Sequence, residues 1–125
     1  MRDIAEFMQD LFLTRAAEEK SILANRAPYR QKFFDADCRW DNRAFTLKMI
    51  ESEKILNIES SGSEAAVITE YEIRSNARAV RIQRWRYHLK ASGERWVIYN
   101  VEHRCIACRG EGDASCMQCK GKHWI

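Results

Sequence analysis

The chain has 125 residues, 46% of them hydrophobic and 31% charged, and a formal charge of +3 from 21 Lys and Arg against 18 Asp and Glu. That mix is too apolar for a disordered segment and too charged for a membrane protein, and no apolar run approaches the roughly 18 residues that span a bilayer. The basic surplus is small, and four metal-bound thiolates with one divalent ion would lower it by two, so charge alone makes no case for nucleic acid.

A chain of this length buries about two thirds of its extended surface on folding, enough for one core without disulfides. Met1-Arg2-Asp3 opens no secretion signal, so this reading expects a cytoplasmic protein with no membrane partner.

From Asp3 to about Asn25, apolar residues fall at Ile4, Phe7, Met8, Leu11, Phe12, Ile22 and Leu23. Spacings of three and four build one apolar stripe on a helix. Asp3 and Glu6 stand three apart, as in a capping pair. Pro28, the only proline, suits the first turn of a second, shorter helix through Tyr29, Phe33 and Phe34, with Asp35 and Asp37 ending it and opening a turn.

From about Trp40 to Arg104 the period changes to two. Val67, Thr69, Tyr71 and Ile73 share one face of a strand; Glu70, Glu72 and Arg74 share the other. Breaks at Ser61-Gly62-Ser63, Ser75-Asn76-Ala77 and Ser92-Gly93 cut the region into hairpin lengths. Between Arg78 and Ala91 the phase slips: Val80 and Ile82 are even, whereas Trp85, Tyr87 and Leu89 are odd. An extra residue near Gln83-Arg84 would return both sets to one face, which predicts a β-bulge there. Trp96 to Val101 is apolar on both parities, the pattern of a central strand covered on two sides.

The fold class that follows is α+β: N-terminal helices on a strongly curved, cone-like antiparallel sheet. The long helix, the short helix running into Phe33-Phe34, and the antiparallel strands ending in Trp-Val-Ile-Tyr-Asn-Val (96–101) resemble the nuclear transport factor 2-like (SnoaL-like, cystatin-like cone) family across residues 1–104. The resemblance implies a curved sheet closing a cone whose mouth holds a small ligand. Tyr29, Asp35, Trp40, Trp85 and Tyr99 are the candidates to line that mouth, with Asp37 near it. Enzymes of that family place a Tyr, Asp or His there to abstract a proton beside a carbonyl. No residue here matches their catalytic positions, so no catalytic residue is assigned.

Residues 105–125 form a separate C-terminal extension. Cys105, Cys108, Cys116 and Cys119 make two C-x-x-C pairs, each followed two positions later by a glycine, Gly110 or Gly121. Two intervening residues let one tight turn present both sulfurs to a single ion, and the glycine relieves crowding as the chain turns. Two such knuckles complete a four-sulfur shell, which thiolate softness assigns to one structural Zn²⁺ per chain. Redox dithiols, two disulfides and an iron–sulfur cluster are the rival readings. His103 or His123 could stand in for one cysteine; Cys38, far from the others, reads as a small buried hydrophobe. Cys105 to Gly112 resembles the C-x-x-C-x-G-x-G repeat of the DnaJ-type cysteine-rich region, while Cys116 to His123 departs from it at the last glycine. That resemblance implies zinc ligation by the four cysteines and nothing about clients. A shell of four protein ligands leaves no site for substrate, so the metal would clamp rather than catalyse.

Arg81, Arg84, Arg86, His88, Lys90 and Arg95 form a basic run interleaved with Trp85 and Tyr87. It reads either as a groove for single-stranded nucleic acid or as a solvated face paired with Glu70, Glu72 and Glu94. Of the two, the paired face is favoured.

The functional expectation is therefore a non-catalytic binding or interaction protein, of adaptor or immunity type, forming a homodimer and contacting a protein partner. One alternative is a small-molecule isomerase, dehydratase or cyclase acting in the cone. The other is a nucleic-acid accessory protein using the zinc flap and the basic strand face.

Overall fold

The computed structural model describes residues 3–20, 32–38, 51–76, 79–104 and Trp124, with the backbone alone described at 16–20, 73–76 and 79–81. Helix α1 (Ile4–Lys20) is followed by strands β1 (Lys54–Ser61), β2 (Glu64–Asn76), β3 (Ala79–Ser92) and β4 (Arg95–His103), paired antiparallel in the order β1-β2-β3-β4. This is an α+β architecture with a meander sheet.

The cap of α1 forms where expected. Asp3 Oδ1 accepts the Ala5 N–H at 2.7 Å, and the Asp3 carbonyl accepts the Phe7 N–H at 3.0 Å. The first satisfies a donor that a helix start leaves open, and the second is the first bond of the helix itself. The apolar stripe then buries Phe7, Met8, Leu11 and Phe12 against the sheet residues Val67, Tyr71, Trp85, Tyr87, Leu89, Trp96 and Ile98. Each large side chain removed from water here contributes about 1.5–3 kcal/mol. Phe33 packs edge-on to Phe7, with ring centroids 5.5 Å apart, and Cys38 is buried beside them as the composition suggested.

The two described hairpin turns have two residues each and place Gly62 and Gly93 at φ of +61° and +64°, which glycine adopts without strain. Residues 77 and 78, where the third turn was expected, lie outside the described residues.

Three strand expectations need correction. First, β2 and β3 pair without a break from Glu64↔Lys90 to Arg74↔Val80, so there is no bulge at Gln83-Arg84. The parity slip is real: Trp85, Tyr87 and Leu89 face the core together with Gln83, while Ile82 faces solvent at 40% exposure.

Second, the bulge between β3 and β4 lies on β4, where the register steps from His88↔Asn100 to Leu89↔Ile98 and leaves Tyr99 as the extra residue. That step brings Trp96 and Ile98 onto the same face as Val101 and His103. It explains how Ile98 and Val101, of opposite parity, share a face; Val97, on the other face, is buried as well, so β4 is covered on both sides at 96–98 although it is an edge strand among the described residues. Its outer edge is blunted by the Phe34↔Ile98 bridge and by the Asp35 N–H bonded to the Ile98 carbonyl at 2.8 Å.

Third, the region expected to be extended from about Trp40 includes helical residues, Glu51 and Ser52, just before β1; residues 40–50 lie outside the described residues. A further register step on β1 bulges out Leu56, so that Ile55 and Ile58, of opposite parity, both pack on the core.

After β4, Arg104 pairs with Trp124 in an isolated antiparallel bridge. The residues flanking segment 105–123 are therefore neighbours.

Candidate functional site

Among the described residues, the inner face of the sheet holds a polar cluster within the apolar core. Arg15 continues the stripe of α1, four residues after Leu11. Thr69 and Tyr87 occupy inward positions on β2 and β3, and Glu53 immediately precedes β1. Glu53 is held in place by its neighbours: Ser52 Oγ accepts the Glu72 N–H at 2.9 Å, and Lys54 pairs with Glu70.

The carboxylate of Glu53 accepts three donors. Arg15 Nη1 reaches Oε1 at 2.7 Å, while Thr69 Oγ1 and the Tyr87 hydroxyl each reach Oε2 at 2.6 Å. Arg15 Nη1 also donates to the Tyr87 hydroxyl at 3.2 Å, and its guanidinium lies 5.7 Å from the Trp85 ring centroid. Both side chains of the Arg15–Glu53 pair are 2% exposed. A buried pair of this kind stands only because additional hydrogen bonds offset the loss of water from both ions.

The surrounding phenols are held protonated. Burial, reinforced by the charge of Glu53 and opposed by a hydrogen bond with Trp85, pushes Tyr71 up to about 12. Burial also drives Tyr87 well above 10; the Arg15 charge opposes this, and the charge and hydrogen bond of Glu53 add to it. A hydrogen-bonded carboxylate and two neutral phenols form a structural lock, in which neither Tyr71 nor Tyr87 is poised to give up a proton near neutrality.

The outer face is organised by pairing. Arg84 and Lys54 both approach Glu70, at 3.5 and 3.6 Å. Arg86 donates from Nε and Nη2 to Glu102 Oε1 at 3.1 and 2.9 Å, and His88 Nε2 bonds the same oxygen. Partial burial by itself would raise the Glu102 carboxyl, but the hydrogen bonds and charges of His88 and Arg86 outweigh it and hold the group below 4.5. The Arg86 guanidinium lies 4.9 Å from the Trp124 ring centroid, which docks that residue on the sheet. Beside this cluster is an open groove of about 400 Å³, lined by Glu59, Ser60, Ser61, Glu64, Ala65, Ala66, His88 and Tyr99.

Of the candidate mouth residues, Asp35, Trp85 and Tyr99 are described, and they do not all share one face of the sheet. Trp85 is buried on the inner face. Tyr99 is on the outer face, its ring 5.9 Å from that of His88 and 5.6 Å from Lys90 Nζ. Asp35 follows the helical Lys32–Phe33 and precedes a turn at Ala36-Asp37; its carboxylate is 3.7 Å from Lys90 Nζ. Asp35 and Tyr99 thus meet around one lysine, across the sheet from Trp85. Tyr29, Trp40, Cys105, Cys108, Cys116 and Cys119 lie outside the described residues, as do Pro28 and His123. His103 is described, at the end of β4, with its ring nitrogen 3.1 Å from the Arg104 carbonyl oxygen.

Interleaving of Trp85 and Tyr87 with the basic run is resolved by strand alternation. Both rings face the core, and Arg84, Arg86, His88 and Lys90 face outward to Glu70, Glu102 and Asp35. Glu102 was not anticipated as the main anion, and no aromatic platform of Trp85 and Tyr87 is open to bases.

Sequence reasoning missed the Arg15–Glu53–Thr69–Tyr87 cluster, though two signals were present. A charged residue on the apolar stripe of a helix, and a threonine between Val67 and Tyr71 on the buried parity, both call for a buried polar partner.

No protein-family model matches the chain, and no curated protein or solved structure matches it.

Proposed function

We propose that this chain is a non-catalytic binding protein: a cone of the nuclear transport factor 2-like type with its interior filled, acting through its outer surface and carrying a structural zinc clamp at its C-terminal end. The observation that carries this reading is the engagement of Glu53. An enzyme acting in the cone needs a carboxyl or imidazole facing open space. Glu53, the carboxylate buried on the inner face among the described residues, is instead engaged by Arg15, Thr69 and Tyr87 and walled in by aromatic rings.

The clamp is supported by donor chemistry and by the position of its ends. Cys105, Cys108, Cys116 and Cys119 would hold the ion, and Arg104, Arg109, Lys120 and Lys122 would offset the charge of a four-thiolate shell. The bridge between Arg104 and Trp124 brings together the residues flanking this segment. Zinc bound there supplies folding energy, on the order of 10–16 kcal/mol in small finger peptides. Homodimerisation and a protein partner belong to the same proposal.

Metal analysis of the purified protein tests the clamp. One zinc per chain is expected, lost in Cys108→Ser, with a chelator leaving the unfolding midpoint of the sheet body unchanged. Metal-free protein, or a chelator that unfolds the whole chain, contradicts it.

A further inference from the structure

Resting on the interaction reading above, we propose that the outer-face groove between the β1–β2 hairpin and Tyr99 is a docking site for an arginine side chain presented by a basic segment of a partner protein. The groove owes its shape to residue size. Glu59, Ala66, His88 and Asn100 lie in one cross-strand row, and Ala66 is the small member between two long ones. The missing side-chain volume leaves a hollow with Ala66 in its floor. The bulge at Tyr99 turns that ring toward His88, giving the hollow an aromatic wall.

Charge then selects the occupant. Three described outer-face carboxylates outside the groove each carry a cation: Glu70 has Lys54 and Arg84, Glu102 has Arg86 and His88, and Asp35 has Lys90. The two carboxylates of the groove differ. Glu59 is bonded to the Asn57 amide at 3.3 Å, and neither it nor Glu64 is ion-paired among the described residues. The Tyr99 ring already has Lys90 Nζ 5.6 Å from its centroid, so the incoming cation belongs at the two carboxylates of the hairpin end, with its aliphatic stem over Ala66 and beside the ring, as an arginine side chain would lie. An acidic ligand meets like charge there, and a wholly apolar one would cover both carboxylates without pairing them.

The test uses the full chain and three synthetic peptides of glycine and serine carrying three arginines, three glutamates or no charge, titrated calorimetrically at low salt. The arginine peptide is expected to bind alone. Affinity should fall about tenfold in Glu59→Gln/Glu64→Gln, since two opposite charges of the open groove are lost and low salt screens them little. It should vanish in Ala66→Leu, which fills the floor, and persist in the control Glu70→Gln on the same face. All four positions are on the surface, and thermal melts verify folding. Unchanged affinity in the double variant, or no binding of the arginine peptide to wild type, overturns the assignment. Binding of the acidic or uncharged peptide instead would overturn the arginine site while leaving the interaction reading standing.

Discussion

The two faces of this sheet use the same residue types for opposite ends. On the inner face, Arg15 and Glu53 are sealed at 2% exposure, and each hydrogen bond between them and Thr69 or Tyr87 compensates lost water. On the outer face, Arg86, His88 and Glu102 form a comparable cluster at 21–30% side-chain exposure, where water screens every charge. Burial separates the two. Inside, a missing partner leaves an ion stranded; outside, it leaves an ion hydrated.

The largest expected effect comes from breaking the inner cluster on one side. Glu53→Ala strands the Arg15 guanidinium and should cost about 3–5 kcal/mol in chemical denaturation. A loss below about 1 kcal/mol would mean that the inner cluster behaves as a surface one. Tyr87→Phe keeps the ring and removes one donor to Glu53, so a loss of about 1–3 kcal/mol is expected from the same measurement.

The smallest effect belongs to the outer face. Glu102→Gln should cost about 1 kcal/mol or less at neutral pH, given its exposure. Its pH dependence has a defined sign. Because the folded carboxyl titrates below its ordinary 4.5, its contribution is complete above that value and is lost as pH falls through the lower folded value. Denaturation midpoints followed down in pH should therefore converge for wild type and Glu102→Gln. A gap that stays constant to the acid end would remove the ion-pair account of this cluster.

Much of the architecture was legible because it follows from period and capping. Asp3, the stripe from Phe7 to Phe12, the alternation through Val67, Thr69 and Tyr71, and the glycine turns at Gly62 and Gly93 are local signals, and the structure forms each of them. The strand irregularities were less legible. A parity slip within β3 looked like a bulge, yet β3 simply turns Ile82 outward; the register steps are elsewhere, at Leu56 and Tyr99 on β1 and β4, the outermost of the described strands, and at Ser75 near the end of β2. The inner cluster escaped for a different reason. Its members come from positions 15, 53, 69 and 87, and no local pattern joins them; only the packing of α1 on the sheet does. Glu102 was missed likewise, since its partners Arg86 and His88 are set by the register of β4, which the bulge shifts.

The account rests on the inner face being a structural lock rather than a working site, and a double-mutant cycle of Arg15→Met and Glu53→Leu tests that most directly. Each single change should destabilise by about 3–5 kcal/mol, while the double change, replacing both ions with apolar side chains, should cost far less than their sum and retain a cooperative melt. Strictly additive losses would show that the two residues act independently and would contradict the lock.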